Sequence, residues 1–426
     1  MQDKRNLEQI LSDQQEELEI HRGETLCHRP EEAQIDLGST QAQVVIGVRR
    51  SGKSTLCFQA LEKAGVKYAY VDFDDERLAN IQAEDLNDVL EVLYKIYGDF
   101  NYLFLDEIQN VDGWEKYARN LADRKYQVYI TGSNAKMLSK GIMQELGGRY
   151  LPHEIYPYSL SEYMNFLGIP FDEKALLQTE SRTNFMRAYR EYFTWGGLPE
   201  AISMNVKRSY LTSLYQKIYL GYIAARHNIS NSKLLQLMLK KIAESTMHPI
   251  SYSRIAKILS SVGGKITIPT VSNYISYAEE AWMLLRLRNI TTAFADKETN
   301  CKYYFIDNGL LSLQLIDAET KLLENAVAIQ LFRHYGHDED NERVFFYNDN
   351  IEVDFYVPED ELAIQVSYTL KSDDTYEREV SALSKLPKVY PCKRRMIITY
   401  DEETTLTDEH GVIEIVPCWK WMIRQA

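Results

Sequence analysis

The sequence is poor in the features that mark secreted, zinc-bound or membrane-embedded chains. Its 5 cysteines among 426 residues, Cys27, Cys57, Cys301, Cys392 and Cys418, are odd in number, widely scattered and never spaced C-x-x-C. That spacing argues against both a disulfide framework and a zinc site, and implies reduced, mostly buried thiols. No uninterrupted apolar run approaches the roughly 20 residues of a spanning helix, and mean hydropathy is −0.37. The first residues, Met1-Gln2-Asp3-Lys4-Arg5-Asn6-Leu7, are polar and show no apolar targeting segment, so a soluble, cytoplasmic chain without membrane contact is expected. Positive charge is also scarce. The 48 Lys and Arg residues face 62 Asp and Glu, a net charge of −14, which argues against a generally basic nucleic-acid coat but leaves room for a local basic face. A length of 426 residues exceeds one ordinary core, and two or three domains are expected.

What is present is concentrated in one stretch. The apolar run Val44-Val45-Ile46 leads into Gly47-Val48-Arg49-Arg50-Ser51-Gly52-Lys53-Ser54, and the helix-compatible Thr55-Leu56-Cys57-Phe58-Gln59-Ala60 follows. Strand, glycine loop and helix in this order form a P-loop: the loop leaves backbone N–H groups free to surround phosphate oxygens, and the helix aims its positive dipole end at the same anion. Gly47, Arg50, Ser51, Gly52, Lys53, Ser54 and Thr55 are therefore the expected ATP-binding residues. Lys53 is expected at the β- and γ-phosphates and Ser54 on a magnesium ion that bridges them. The side chains of Arg49 and Arg50 are assigned to solvent or a partner in preference to nucleotide.

A second segment, Tyr102-Leu103-Phe104-Leu105-Asp106-Glu107, is an apolar strand ending in two acids, the Walker B pattern. Asp106 is expected to hold the magnesium through water, and Glu107 to act as the general base that activates the attacking water. Thr131-Gly132-Ser133-Asn134 ends a further strand, Gln127 to Thr131, where Ser133 and Asn134 are expected to help position that water; the same residues also read as an ordinary strand-ending turn. Between these motifs lie Tyr68 to Asp72 and helices near Glu84 to Tyr97 and Trp114 to Asp123, so β-α units build a parallel sheet with ligands at the carboxyl ends of its strands. Ahead of them, Leu7, Ile10, Leu11 and Leu18 fall at helical spacing and predict an amphipathic helix that covers the core or docks a partner.

The order of the motifs carries a resemblance. The P-loop, Leu105-Asp106-Glu107-Ile108-Gln109, Ile130-Thr131-Gly132-Ser133-Asn134, Leu146-Gly147-Gly148-Arg149-Tyr150, Pro157-Tyr158-Ser159-Leu160, Gly196-Gly197-Leu198-Pro199-Glu200, Tyr304-Phe305-Ile306-Asp307-Asn308-Gly309-Leu310, Leu323-Glu324-Asn325 and Glu352-Val353-Asp354-Phe355 together resemble prokaryotic AAA+ superfamily ATP-binding proteins with a C-terminal nuclease-like domain, of the PD-(D/E)xK type, whose function is unassigned. The resemblance covers roughly residues 40 to 420. It implies an α/β fold with a P-loop AAA+ parallel-sheet core at 37–158 behind an N-terminal helical extension at 1–36, a helical lid at 159–230, a winged-helix-like segment at 231–318 and the nuclease-like α/β domain at 319–426. Arg149 matches a Gly-Arg position at which a guanidinium stabilises γ-phosphate charge, in cis or in a neighbouring subunit, or else pairs with a carboxylate.

The residues themselves support parts of this division. Lys233 to Ser245, Ser251 to Leu259 and Thr270 to Leu284 read as three helices, with Ser251 as an N-cap and Pro269 at the first position of the third. That third helix lacks basic residues, so DNA is not a favoured partner and a structural or protein-docking role is preferred. Beyond Lys321 the pattern is helix, strands Val344 to Tyr347, Ile351 to Val357 and Leu362 to Tyr368, helix Tyr376 to Leu386 and strand Arg395 to Thr399. In the nuclease-like core, Glu324 and Asp354 match the first two acids. Gln365 and Ser367 stand where a second strand acid and a lysine would be, and neutral Gln and Ser are poor replacements, so the domain is read as inactive, with Lys371 or the Arg378-Glu379 pair as stand-ins if it is not. The whole is read as a magnesium-dependent ATPase whose turnover switches the C-terminal domains, with a protein partner or oligomer allowed. The alternative is an ATP-gated nuclease or DNA-binding effector.

Overall fold

In the computed structural model, which describes residues 4–21, 27–138, 140–291, 293–336 and 343–424, the apolar run ahead of the P-loop becomes strand β1, Ala42–Gly47, buried at every position. Together with β2 Tyr68–Asp72, β3 Tyr102–Asp106, β4 Gln127–Gly132 and β5 Tyr150–Ile155 it forms a five-stranded sheet of order β2-β3-β4-β1-β5. All pairs are parallel. A parallel sheet needs both faces covered, and the helices Lys53–Lys63, Leu86–Tyr97 and Trp114–Asp123 run between the strands. The N-terminal helix Lys4–His21 buries Leu7, Ile10, Leu11 and Leu18 as its spacing predicts. Full burial of side chains such as Val44, Val45, Ile46 and Leu105 contributes roughly 1.5–3 kcal/mol each.

Strand β5 was not anticipated. Its sequence, Tyr-Leu-Pro-His-Glu-Ile, has a proline at its third position, which argues against a central strand. It is an edge strand paired only with β1, where a missing N–H costs little.

The chain divides into two units, Met1–Ile155 and Tyr156–Ala426. The second opens with helices, among them Leu160–Phe166, Thr179–Trp195 and Lys207–Gln216. There follow helix Ser232–Glu244, strand β6 Ile250–Ser251, helices Tyr252–Val262 and Ile268–Glu280, and strands β7 Leu284–Asn289 and β8 Asn300–Phe305. Ser251 caps its helix by accepting from Arg254 N. The third of these helices stops at Glu280, four residues before the expected Leu284. Trp282 there takes a left-handed φ of 56° and is buried edge-on against Tyr156, so Leu284 starts β7 opposite Phe305.

After helix Glu319–Tyr335 come β9 Phe345–Asn348, β10 Glu352–Val357, β11 Leu362–Val366, β12 Arg394–Thr399, β13 Thr404–Asp408 and β14 Gly411–Pro417. They extend the same sheet, of order β13-β14-β12-β11-β10-β9-β7-β8-β6, because β7 pairs with β9 in parallel. One sheet therefore runs across residue 319, where the sequence suggests a division. Strand β10 carries a bulge between Val353 and Tyr356, and Asp354 lies within it. The strands β13 and β14 were not expected; β13 is largely exposed and offers no continuous apolar run.

Candidate functional site

The P-loop turns through left-handed backbone twice: at Gly52, φ 90°, where glycine adopts it freely, and at Arg50, φ 67°, where a side chain makes it costly. Gly47 lies against β5 so closely that an added Cβ would collide with the carbonyl oxygen of Ile155. Lys53 begins the following helix, and its buried ammonium donates to the Val48 carbonyl at 3.2 Å and to Ser133 Oγ at 3.0 Å. Ser133 Oγ in turn donates to Glu107 Oε1 at 2.6 Å, and Lys53 Nζ lies 3.5 Å from that same oxygen. Three predicted residues, from the loop, the end of β3 and the end of β4, thus meet at one point.

A second cluster is centred on Asp106. Ser54 Oγ donates to its Oδ1 at 2.9 Å, Tyr70 OH donates to its Oδ2 at 3.2 Å, and Thr131 Oγ1 also donates to Oδ1. Thr131 Oγ1 accepts from Glu107 N at 3.0 Å, so β4, lying between β1 and β3, fixes both acids. Burial and the neighbouring Glu107 push the Asp106 carboxyl above its usual range despite these donors. Glu107 shifts the other way: burial opposes its charge, but Lys53, Arg49 and the hydrogen bonds from Ser133 and Gln109 outweigh burial and hold it below its usual value. Glu107 also has a left-handed φ of 50°, a strained conformation for a residue with a side chain.

The other predicted residues are placed differently. Asn134 accepts from Lys136 N at 2.9 Å and so caps the turn after β4. Arg149 pairs with Asp123, both side chains being nearly half exposed. Arg50 is exposed and Thr55 half-buried. Arg49, assigned to solvent or a partner, is instead turned inward: it pairs with Asp74 and lies 3.9 Å from Glu107 Oε2, because those carboxylates compensate a charge that is only 11% exposed. The sequence reading missed Tyr70, Gln109, which donates to Glu107 Oε2 at 2.5 Å, and Arg29, which donates to the Ser51 carbonyl at 3.0 Å and braces the loop. Gln109 had a signal in its position two residues after Glu107, in the Leu105-Asp106-Glu107-Ile108-Gln109 motif. Arg29 had none.

The residues fit a magnesium nucleotide. Ser54 and Asp106 offer oxygen donors side by side, and the Ser51 hydroxyl is buried in the loop without a hydrogen-bond partner. Among the described residues no three His, Cys, Asp or Glu side chains converge as a metal cage. A magnesium ion held by one hydroxyl, one carboxylate, phosphates and water requires none.

The second unit has its own buried polar cluster. Glu324, on the helix Glu319–Tyr335, accepts from Tyr304 OH at 2.7 Å and from Lys302 Nζ at 3.4 Å. Lys302, on β8, also donates to Asp354 Oδ1 at 3.0 Å and lies 3.4 Å from Glu352. Asp354 Oδ2 accepts from Val366 N at 3.0 Å. Gln365 faces the bulge, accepting from Asp354 N at 2.7 Å and donating to Glu352 O at 3.2 Å and Glu379 Oε2 at 2.5 Å. Ser367 donates to Thr369 O. Burial and Asp354 push the Glu324 carboxyl up to about 8 against the pull of Lys302. Burial disfavours the Lys302 charge, but Glu324, Asp354 and Glu352 outweigh it and raise its value.

Two further motifs meet nearby in sequence-distant partners. Asp307 Oδ2 accepts from Gly197 N and Oδ1 from Gly309 N, both at 2.8 Å. A Cβ on Gly196, whose φ is 77°, would strike that carboxylate. The Gly-Gly turn is thereby tied to the Asp-Asn-Gly segment.

Residues 39–164, which contain Lys53, Asp106, Glu107 and Ser133, match the family model described as AAA domain. Residues 186–321 match the one described as Domain of unknown function (DUF8612). The uncharacterized protein MJ1544 of Methanocaldococcus jannaschii is 32% identical over 419 residues, covering 95% of this chain and 93% of that protein. The chain belongs to the family of MJ1544. An uncharacterized protein of Haemophilus influenzae is 26% identical over 400 residues, 90% of this chain and 94% of that protein. Among solved structures, the Walker-type ATPase PABY2304 of Pyrococcus abyssi covers 68% of this chain and 96% of its own at 14% identity, with a TM-score of 0.45. The AAA match and the P-loop geometry together make residues 39–164 an AAA-type P-loop ATPase-like domain. No described helix is long and apolar enough to cross a membrane.

Proposed function

We propose that the chain binds ATP with magnesium and hydrolyses it, and that turnover switches the conformation of its C-terminal part. The observation that carries the reading is the convergence of Lys53, Ser133 and Glu107, with Ser54 and Asp106 alongside. The loop N–H groups and Lys53 bind the phosphates. Ser54 and Asp106 would hold a magnesium ion, which would supply charge neutralisation to the phosphates. Glu107, ionised and oriented by Ser133 and Gln109, takes the proton of the attacking water. Lys53 Nζ lies 3.5 Å from Glu107 Oε1, so a phosphate that competes for the ammonium would free that oxygen for water. Arg149 joins such a site only by leaving Asp123, in its own chain or in a second copy.

The C-terminal elements are read as a winged-helix-like segment and an inactive nuclease-like domain. The helix Ile268–Glu280 has no Lys or Arg, which weighs against DNA, and a protein partner or a second copy is preferred.

The test is phosphate release from ATP by wild type, Lys53→Ala and Glu107→Gln, each with magnesium. The expected result is release by wild type alone, with Glu107→Gln still binding ATP. Absence of both release and ATP binding in wild type rejects the reading.

A further inference from the structure

Arg49 stands inside the P-loop, between Gly47 and Gly52. An arginine in such a loop can lie in solvent, as the exposed Arg50 beside it does. Arg49 is instead turned inward, its side chain 11% exposed, where it pairs with Asp74 and lies 3.9 Å from Glu107 Oε2. Lys53 Nζ lies 3.5 Å from the other oxygen, Oε1. The carboxylate of Glu107 therefore has a cation beside each oxygen, and the same short motif supplies both. Burial opposes the Glu107 charge, and Lys53 and then Arg49 counter it; a carboxylate held between two cations is a weaker proton acceptor.

The two cations differ in what they can reach on a nucleotide. A P-loop lysine serves the β- as well as the γ-phosphate, so Lys53 has a partner in ADP and in ATP alike. In the proposed reaction Glu107 takes a proton from water attacking the γ-phosphate, and a guanidinium 3.9 Å from Glu107 lies at the end of the nucleotide that ADP lacks. Its planar fork of donors matches phosphate oxygens two at a time. The Asp74 side chain is 29% exposed, so water weakens that pair, and a more highly charged anion can take the guanidinium from it.

We propose, on the reading of this site as ATP-binding, that Arg49 is the residue that distinguishes triphosphate from diphosphate. It leaves Asp74 and Glu107 for the γ-phosphate, which uncovers Glu107 only when ATP is bound, and it returns to them when ADP remains. Asp74 is then a positioning residue that competes with the γ-phosphate for the same guanidinium. Two effects of opposite sign follow: loss of the Arg49 charge lowers the preference for triphosphate, and loss of the Asp74 charge raises it.

The test is calorimetric titration of the full chain, with magnesium, by the non-hydrolysable ATP analogue AMP-PNP and by ADP, in wild type, Arg49→Gln, Arg49→Lys and Asp74→Asn. The expected result is AMP-PNP affinity lowered roughly 10-fold in Arg49→Gln with ADP affinity little changed, an intermediate value in Arg49→Lys, and a stronger preference for AMP-PNP in Asp74→Asn. Arg49→Gln that weakens both nucleotides equally gives Arg49 a merely structural part in the loop and overturns the proposal, as does Arg49→Gln that weakens neither. Should Arg49→Gln not fold, Asp74→Asn decides: a raised preference for AMP-PNP supports the proposal, and an unchanged or lowered one overturns it. Wild type that binds neither nucleotide rejects the ATP-binding reading together with this one, whereas wild type that binds both with a ratio independent of Arg49 overturns this one alone.

Discussion

Ser133 Oγ donates to Glu107 Oε1 at 2.6 Å while accepting from Lys53 Nζ at 3.0 Å. One hydroxyl therefore links Lys53 to Glu107, the proposed phosphate ligand and general base, and it can do so because β4 lies between β1 and β3. Ser133→Ala removes a hydrogen bond to a charged group, worth about 1.5–3 kcal/mol. The expected outcome is hydrolysis slowed roughly 10- to 100-fold, with ATP affinity changed little. Single-turnover phosphate release beside equilibrium ATP binding separates the two, and an unaltered rate removes Ser133 from the catalytic set.

Arg149 and Asp123 form an exposed pair. Such pairs contribute below about 1 kcal/mol, so Arg149→Ala is expected to leave thermal stability nearly unchanged. Its hydrolysis rate at saturating ATP is then a clean readout. A loss that mixing with Lys53→Ala chains restores assigns Arg149 to a neighbouring site, and an undiminished rate leaves it a surface ion pair.

Asp72, at the end of β2, is pushed up to about 7 by burial and by Asp106. A carboxyl whose folded value exceeds its unfolded one holds its proton more tightly in the native state, so its contribution to stability is present at acid pH and is lost as pH rises toward 7. Asp72→Asn is expected to stabilise the first unit at and above neutral pH, by up to about 4 kcal/mol, with the difference from wild type vanishing toward pH ~4. Asn retains the oxygen that accepts from Asp74 N. Chemical denaturation across that range checks it; a difference constant with pH contradicts it.

Gln365 accepts from Asp354 N and donates to Glu352 O and Glu379 Oε2. Only an amide both accepts and donates in this way, and the bulge in β10 needs both. Gln365→Glu loses the donors and sets a carboxylate against Glu379. A loss of roughly 2–4 kcal/mol is expected at neutral pH, partly recovered on acidification as the introduced carboxyl is protonated. Melting curves at two pH values would show whether that recovery occurs.

The structure thus gives Gln365 a reason that the sequence did not offer. Read along the chain, an amide at the third position of an acid pattern looks like a loss. In the folded chain it repairs the backbone at Asp354. Arg49 was misplaced for a related reason: an arginine in a loop looks solvent-bound until Asp74 and Glu107, 25 and 58 residues later in the sequence, are brought beside it. β5 was hidden by Pro152, which is harmless only at a sheet edge.

What the sequence by itself determined is the P-loop half of the candidate site. Strand, glycine loop and helix are consecutive, so their geometry follows from local backbone preferences and from apolar runs that can be read directly. Asp106, Glu107 and Ser133 were legible for the same reason, each standing at the end of an apolar strand whose direction is fixed by the β-α alternation. Only the tertiary structure decided what those side chains touch, and it alone placed Lys302. No local signal distinguishes a lysine that opens a strand at the surface from one buried among three carboxylates. That choice depends on the pairing of β7 with β9 and on the bulge at Asp354, contacts between residues far apart in the chain, whose burial energies are settled together when the sheet forms.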